Sequence, residues 1–216
     1  MDDAALDAFI RANLPVGTVP GVPEIRLHKA VPTSGLNRLA RDDAAGFGSP
    51  YWAYHWAGGL ALARHVLDHP AIVQGQRVVD LGAGGGLVAI AAAKAGAAAV
   101  TAVEIDAYAR TALRCNAALN RVTLAIEADD LTAAPPPDAD VMLVGDLFYT
   151  PDLAARVTAF LDRCAETRMT ILVGDPWRAP LPSARLREIA RYAVAETANL
   201  PGKASGVFAW NAGTAG

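Results

Sequence analysis

The strongest constraint on the fold is a regular alternation of short β-branched runs and helix-length segments that begins at Arg77. The predicted strands cover residues 78–81, 100–104, 123–127, 141–145 and 170–174. Predicted helices at 87–95, 108–118 and 152–164 separate most of them. Because alternating strands and helices build βαβ units, we expect an α/β fold around a mostly parallel sheet.

The two ends of the chain depart from this alternation. Residues 192–197 and 206–210 are strand-like, and their connection is too short for a crossover helix, so we expect an antiparallel hairpin at the sheet edge. Many prolines and glycines in residues 1–50 predict a short helix, an extended arm around 24–28 and a loop before Pro50. We therefore expect an N-terminal extension (1–50) and one domain (51–216), which opens with a helix at 51–69.

Composition excludes several classes of protein. The 216 residues are 53% hydrophobic and 19% charged, which indicates a folded core rather than disorder. A net charge of −3 argues against nucleic acid as a partner, and the most apolar stretch is too short and too interrupted to cross a membrane. Two cysteines and four histidines lack a metal-ligand spacing, so we expect no metal. The acidic first residues (MDDAALDAF) do not fit a secretory signal, and we expect a cytoplasmic protein.

A glycine-rich loop follows the first strand of the alternating region. Gly82, Gly84 and Gly86 stand where a strand turns into a helix, a place where backbone can approach a ligand closely. The dinucleotide spacing would require a third glycine at 87, which is leucine, so an NAD-dependent dehydrogenase is disfavoured. Asp80, two residues before the loop, suits a ligand that carries an ammonium group.

Acidic residues follow the next two predicted strands. The carboxylate of Glu104 could accept hydrogen bonds from both hydroxyls of a ribose, and Asp106 is better suited to cap the following helix. A strand that ended later would exchange these two roles, and we favour Glu104 for the ribose. Asp129 or Asp130 could accept from the amine of an adenine, and we favour Asp129. A ribose, an adenine and an ammonium group without phosphate are together what S-adenosylmethionine offers, and we expect it as the cofactor.

From residue 51 to 210 the chain resembles the class I, seven-β-strand methyltransferases that use S-adenosylmethionine. A closer resemblance, to the lysine methyltransferases of the electron transfer flavoprotein β-subunit, is carried by four segments: PEIRL (23–27), PYWAYHWAGG (50–59), GDLFY (145–149) and GDPWRAPLP (174–182). Trp177 stands where that family often has a small residue, and Ala57 where it more often has proline. The resemblance implies a Rossmann-like, seven-stranded, mostly parallel sheet with an antiparallel last strand.

The resemblance also implies an activity, the transfer of methyl groups to lysine in a protein substrate, expected to be electron transfer flavoprotein β-subunit. For this chemistry we predict that Asp146 orients the amine and that Phe148 and Tyr149 wall its channel. Trp52, four residues before Trp56, could cover the methionine end of the cofactor or only seal the sheet. Asp175 and Arg178 could meet a protein substrate or pair with each other.

Three other functions compete with this hypothesis. An N-methyltransferase for a small-molecule amine or a pyridine nitrogen would use the same cofactor, and a closed apolar lid would favour it over an open rim. Methylation of nucleic-acid bases is disfavoured because the sequence after strand 141–145 lacks the paired prolines of the Asp/Asn-Pro-Pro-Tyr loop. A binding module without turnover is disfavoured by the joint presence of Asp146, Glu104 and the glycines.

Overall fold

The computed structural model of the chain describes residues 2–43, 46–195 and 202–211. The described residues before 50 include a helix, an antiparallel hairpin and a second helix: α1 (Asp3–Asn13), β1 (Val16–Val19), β2 (Val22–His28) and α2 (Leu36–Asp42). The Asp2 side chain caps α1 by accepting from the N–H of Ala5. The predicted helix and extended arm are thus confirmed, whereas the pairing of the arm with β1 was not predicted.

A seven-stranded sheet forms the centre of the molecule, with strand order β5-β4-β3-β6-β7-β9-β8. Its elements are, in chain order, α3 (Ala57–Asp68), β3 (Arg77–Leu81), α4 (Leu87–Lys94), β4 (Ala99–Val103), α5 (Ala107–Asn120), β5 (Ala125–Glu127), β6 (Val141–Gly145), α6 (Pro151–Glu166), β7 (Thr170–Asp175), β8 (Leu186–Val194) and β9 (Lys203–Trp210). Neighbouring strands from β5 to β7 are parallel, and β9 is antiparallel to both β7 and β8. The predicted mostly parallel sheet with an antiparallel last strand is confirmed.

The sequence prediction was wrong about several boundaries, among them the start of β9, which is Lys203 rather than residue 206. Residues 51–69 are not one helix, because a 3₁₀ turn (Tyr51–Ala53) is followed by extended backbone at Trp56 before α3 begins. Strand β8 begins at Leu186 rather than at 192, since its alternation of charged and apolar residues belongs to a half-exposed edge strand. The predicted end of that strand, at 196–197, lies outside the described residues.

Both faces of the sheet are covered. Helices α3 and α4 pack on one face together with β2, and α6 packs on the other. The N-terminal residues contribute to the same core: Ile25 lies in the α3–α4 cluster, and Ile10 and Leu39 pack with Trp52 and α5. The division at residue 50 stays a prediction, but the extension contributes buried side chains to the α3–α4 cluster and to a further cluster with Trp52 and α5.

Helix α3 crosses the end of β7 with direct backbone contact. A Cβ atom on Gly58 would overlap the carbonyl oxygen of Gly174, and one on Gly174 would overlap that of Gly58. Only glycine at both positions permits this approach. The contact brings the first turn of α3 to the carboxyl end of the sheet, where the candidate site lies.

We expect Gly58→Ala to lower the stability of the protein. Alanine would favour the helix by about 1 kcal/mol, but overpacking against a backbone oxygen costs about 3 kcal/mol. The net loss corresponds to a fall in Tm of about 4 to 8 °C, measured by circular dichroism. In the control variant Gly17→Ala the new Cβ meets only the flexible end of Lys29, so its Tm should stay close to that of the wild type. An unchanged Tm for Gly58→Ala would show that the crossing can relax.

Candidate active site

A pocket of about 720 Å³ opens at the carboxyl ends of β3, β4 and β6. Ligands bind at this edge of parallel sheets because loops from several strands converge there. Its lining includes five carboxylates and two guanidinium groups: Glu104, Asp106, Asp129, Asp130 and Asp146 with Arg156 and Arg178. The pocket is therefore acidic, which favours a cationic ligand.

Residues 82–85 of the glycine loop line this pocket, whereas the predicted Gly86 does not reach it. The predicted residues Gly82, Gly84 and Gly86 all have positive φ, at 71°, 52° and 88°, so side chains there would strain the turn. Gly85 also requires its small size, because a Cβ would come within 2.6 Å of the Trp52 carbonyl oxygen. The Asn116 amide donates to the carbonyl of Gly85 (2.8 Å) and fixes the loop.

Asp80 lies beneath this loop and does not line the pocket. Its carboxyl group is buried and accepts from the N–H of Ala89 at 2.8 Å, which caps the first turn of α4. Burial raises the pKa of Asp80 to about 7, and the Ala89 N–H opposes that rise. The geometry corrects our prediction: Asp80 positions the loop from below rather than facing an ammonium group.

Glu104 is the centre of a hydrogen-bond network at the end of β4. Its carboxylate accepts from the Tyr51 hydroxyl (2.8 Å), the Gly84 N–H (2.8 Å) and the Asp106 N–H (2.9 Å). The side chain is almost fully buried and borders the pocket, as a ribose-binding group would. Asp106 caps α5, as predicted, by accepting from the N–H groups of Tyr108 and Ala109.

Tyr51 is a pocket residue that the sequence analysis missed. It precedes Trp52, the residue that the sequence predicts for this site, but only the tyrosine reaches the pocket. Burial and the neighbouring Glu104 carboxylate raise the pKa of the Tyr51 hydroxyl, so it stays protonated and donates to Glu104. A hydroxyl that can donate to an acidic residue at a strand end was the signal available in the sequence.

We expect Tyr51→Phe to weaken cofactor binding by about 5-fold, the value of one hydrogen bond to a carboxylate that positions a ligand. Isothermal titration with S-adenosylmethionine measures the change. Tyr54→Phe is the matched control, because Tyr54 is half exposed on the rim of the same pocket. Equal affinities for Tyr51→Phe and the wild type would contradict a role in positioning Glu104.

The two candidates for an adenine contact differ in their surroundings. Asp130 accepts from the backbone and hydroxyl of Thr132 and pairs with Arg156 at 2.9 Å. Asp129 borders the pocket, is exposed and makes no hydrogen bond or ion pair with the described part of the chain. The carboxylate of Asp129 is thus available to a ligand, and its role as the adenine contact stays a prediction.

Asp146 is held at the end of β6 by three donors. Its oxygens accept from the N–H groups of Gly58 (3.0 Å) and Gly59 (2.5 Å) in the first turn of α3, and one of them contacts Nη1 of Arg178 at 2.6 Å. Its φ of 60° is unusual for a residue with a side chain and aims the carboxylate at the helix. Burial raises the pKa of Asp146, while Arg178 and the two N–H groups oppose the rise. Asp146 therefore borders the pocket with its carboxylate held in one orientation by these donors.

The aromatic residues predicted for the site separate into two groups. Tyr149 borders the pocket and is 61% exposed. Phe148 is fully buried and stacks on Trp210 in the core under the sheet, so the prediction that it walls the channel is wrong. Trp52 is also buried, against α5 and the N-terminal helix, and does not cover the pocket. The neighbouring residues Phe148 and Tyr149 face opposite sides of the backbone, and their residue types alone do not reveal which one faces the pocket.

The two departures from the family pattern have structural explanations. Trp177 has a φ of 57°, a conformation that glycine adopts without strain, which accounts for a small residue there in other members. Its ring packs edge-on to Phe208 and under the Arg191 guanidinium (4.5 Å). Ala57 is the first residue of α3, a position that suits proline.

The described residues contain neither a membrane-spanning helix nor a cluster of metal ligands. None of the helices found in 2–43, 46–195 and 202–211 is both long and apolar enough to span a membrane. Within those same ranges, no three histidine, cysteine or acidic side chains are grouped so that they could bind a metal ion.

Comparisons with known proteins show which fold this chain shares. The family model described as ribosomal protein L11 methyltransferase (PrmA) matches residues 61–146, from α3 through the glycine loop to Asp146. Among solved structures, TrmN from Thermus thermophilus superposes with a TM-score of 0.53 at 20% identity and covers 71% of this chain and 48% of its own. Trm5b from Pyrococcus abyssi gives 0.50 at 18% identity, with 87% and 53% covered. At these identities the likeness shows the shared fold.

Sequence relatives are more specific. The electron transfer flavoprotein beta subunit lysine methyltransferase of Xenopus laevis is 37% identical over 88% of this chain and 79% of its own length. The human protein of that name is 37% identical, with 82% and 68% covered, and the Caenorhabditis elegans homolog is 33% identical, with 91% and 86% covered. Because relatives this similar cover most of both chains, the protein belongs to the electron transfer flavoprotein β-subunit lysine methyltransferase family.

Proposed function

We propose that this protein transfers methyl groups from S-adenosylmethionine to the ε-amine of lysine in electron transfer flavoprotein β-subunit. The protein is an S-adenosylmethionine-dependent protein-lysine methyltransferase, in keeping with its family. The observation that carries the proposal is an acidic pocket with an open aromatic rim at the carboxyl ends of β3, β4 and β6. Both ligands of this reaction, a sulfonium and a lysine, carry positive charge.

The residues present fit the cofactor. The glycine loop presents backbone rather than side chains to the pocket, Glu104 offers a carboxylate for the ribose, and Asp129 offers one for the adenine amine. A pocket of about 720 Å³ lies within the range of sites that bind small molecules, with room left for an acceptor side chain. The glycine loop, Glu104 and Asp129 would together hold the nucleoside and the methionine end of S-adenosylmethionine.

When bound, S-adenosylmethionine supplies an activated methyl group that a neutral amine can accept by in-line displacement. The tasks of this chain are therefore to align the amine and to let it lose its proton. Asp146 at the end of β6 and Tyr149 on the rim both line the pocket, and we assign the part that they line to the acceptor and call it the acceptor end. The Tyr149 ring can pack on the methylenes of a lysine and tolerate a partly methylated, cationic amine.

An open rim favours a protein substrate over a small molecule. Tyr54, Trp56 and Tyr149 line the opening and are exposed by 51%, 44% and 61%. A small amine would be better served by side chains that close over it and exclude water. Large exposed aromatic groups around a site are typical of surfaces that meet another protein.

Two finer features of the proposal come from sequence. Relatives are named for electron transfer flavoprotein β-subunit, and similarity along most of the chain supports the same substrate here. The second feature, a cytoplasmic location, is proposed from the sequence alone, and fractionation of cells would test it.

The test uses purified protein, methyl-labelled S-adenosylmethionine and a cell extract, with label counted separately in protein and small-molecule fractions. The proposal expects one labelled protein band of the size of electron transfer flavoprotein β-subunit. Label confined to the small-molecule fraction would overturn protein methylation and support an N-methyltransferase for small amines. A labelled band of another identity would retain lysine methylation and reject the proposed substrate.

A further inference from the structure

We propose that Arg178 is a positioning residue that offsets the negative charge of the acceptor end, so that the target lysine reacts as a neutral amine. The inference rests on the proposed function, because it assumes that a lysine enters beside Asp146. Alignment of the amine does not by itself require an ion-pair cluster at this place, and the inference gives that cluster a task.

The cluster consists of one guanidinium between two buried carboxylates. Nη1 of Arg178 lies 2.6 Å from Oδ1 of Asp146 and 2.9 Å from Oδ2 of Asp175, and the backbone N–H of Arg178 donates to the other oxygen of Asp175 at 2.7 Å. The Asp175 side chain is fully buried, and those of Asp146 and Arg178 are 11% and 23% exposed. Because water screens such buried charges poorly, their balance matters for any charge placed beside them.

Each element around the cluster adds a charge or a dipole. The first turn of α3 contributes the N–H groups of Gly58 and Gly59, β7 contributes Asp175, and the segment before α3 contributes His55 to the pocket lining. Tyr149 also lines this pocket. The other carboxylates of the pocket are Glu104, Asp106, Asp129 and Asp130, of which Asp130 pairs with Arg156. Arg178 is thus the cation in direct contact with Asp146.

The charge of this cluster decides how easily a bound lysine loses its proton. Unpaired carboxylates beside an ammonium group favour its protonated form and raise its pKa. An ammonium has no lone pair for the methyl group, so a strongly anionic acceptor end would bind lysine well and react slowly. Arg178 reduces the charge of the two carboxylates to one net negative charge, which retains attraction for lysine and lessens the cost of its deprotonation.

Opposite charge changes should therefore move the pH dependence of turnover in opposite directions. Turnover rises with pH as the bound lysine loses its proton, and the midpoint of this rise in kcat reports the pKa of that lysine. Arg178→Gln adds a net negative charge and should move the midpoint up by about one pH unit, with most of the rate recovered at high pH. Asp175→Asn removes a negative charge and should move the midpoint down.

A purely structural role for the cluster would not produce this pattern. It would lower kcat in both variants without moving either midpoint, and that result would overturn the inference. Arg178→Lys keeps the charge while losing the forked geometry, so its midpoint should stay at that of the wild type; a shift like that of Arg178→Gln would also contradict the inference. If Arg178→Gln does not fold, as judged by its thermal transition, the downward shift in Asp175→Asn remains a complete test.

Failure of this inference is distinguishable from failure of the proposed function. Every profile is measured on the full-length protein with saturating S-adenosylmethionine and electron transfer flavoprotein β-subunit as acceptor. A wild-type protein that methylates no lysine would reject the proposed function. A wild-type protein that methylates lysine while the variants keep its midpoint would reject only the role of Arg178.

Discussion

Replacing Glu104 by glutamine is expected to weaken S-adenosylmethionine binding by about 100-fold, the loss of two hydrogen bonds to a charged group. The carboxylate already accepts from Tyr51, Gly84 and Asp106 and still borders the pocket. An amide of the same shape has one acceptor oxygen and must aim its NH₂ group at one of these donors. The substitution therefore disturbs the loop and the ribose contact together. Isothermal titration gives the affinity directly.

A second ligand separates a ribose contact from a general effect of charge. S-adenosylhomocysteine has the same ribose but lacks the sulfonium, so a ribose contact predicts the same loss for both ligands. A loss confined to S-adenosylmethionine would show that Glu104 acts only through the field of the pocket. Asp106→Asn is the charge-matched control: Asp106 also lines the pocket but caps α5, so this variant should lose much less affinity than Glu104→Gln. Unchanged affinity of Glu104→Gln for both ligands would contradict the assignment.

Replacing Asp146 by asparagine is expected to lower kcat by about 100-fold or more while cofactor affinity stays within about 3-fold, since misplaced groups at a reacting centre cost this much. Three donors converge on the carboxylate, two from α3 and one from Arg178. An asparagine must direct its NH₂ group at one of them, so the acceptor end rearranges and loses its charge. Methylation assays at saturating cofactor measure kcat, and titration measures affinity.

Asp138→Asn provides the matched control for this variant. Asp138 is an exposed residue that pairs with Arg77, and it does not line the pocket. Its kcat should equal that of the wild type. Two results would contradict the role of Asp146: a variant with wild-type turnover, or one in which the loss of turnover is explained by lost cofactor binding. A thermal transition close to that of the wild type shows that the variant is folded.

Local sequence patterns were sufficient to predict the sheet and its glycine loop. Strand β6 has the predicted boundaries, Val141–Gly145, because a short β-branched run buried on both faces has few alternative conformations. The prediction failed at residues 51–69, where an apolar stripe indicated one helix. Extended backbone at Trp56 and the approach of Gly58 to Gly174 separate the turn from α3, and a contact so distant in sequence leaves no local signal.

The sequence predicts which residues line the candidate site better than it predicts the groups that those residues contact. Glu104, Asp129 and Asp146 were identified as acidic residues after strands, and the structure brings all three to one pocket. Their partners were not predictable, because Asp146 meets glycines 88 and 87 positions earlier in the chain. For Asp80 the prediction of the contact was wrong. Its carboxylate has the expected place in the motif, but it turns beneath the loop and caps α4 instead of facing the pocket.

Methylation of purified electron transfer flavoprotein β-subunit tests the central claim most directly. The subunit would be incubated with the wild-type protein and S-adenosylmethionine, and then digested and sequenced by tandem mass spectrometry, with Asp146→Asn in parallel. The account predicts methyl groups on lysine side chains with the wild-type protein and few or none with the variant. An unmodified subunit, or methyl groups on residues other than lysine, from a wild-type protein that binds S-adenosylmethionine would contradict it.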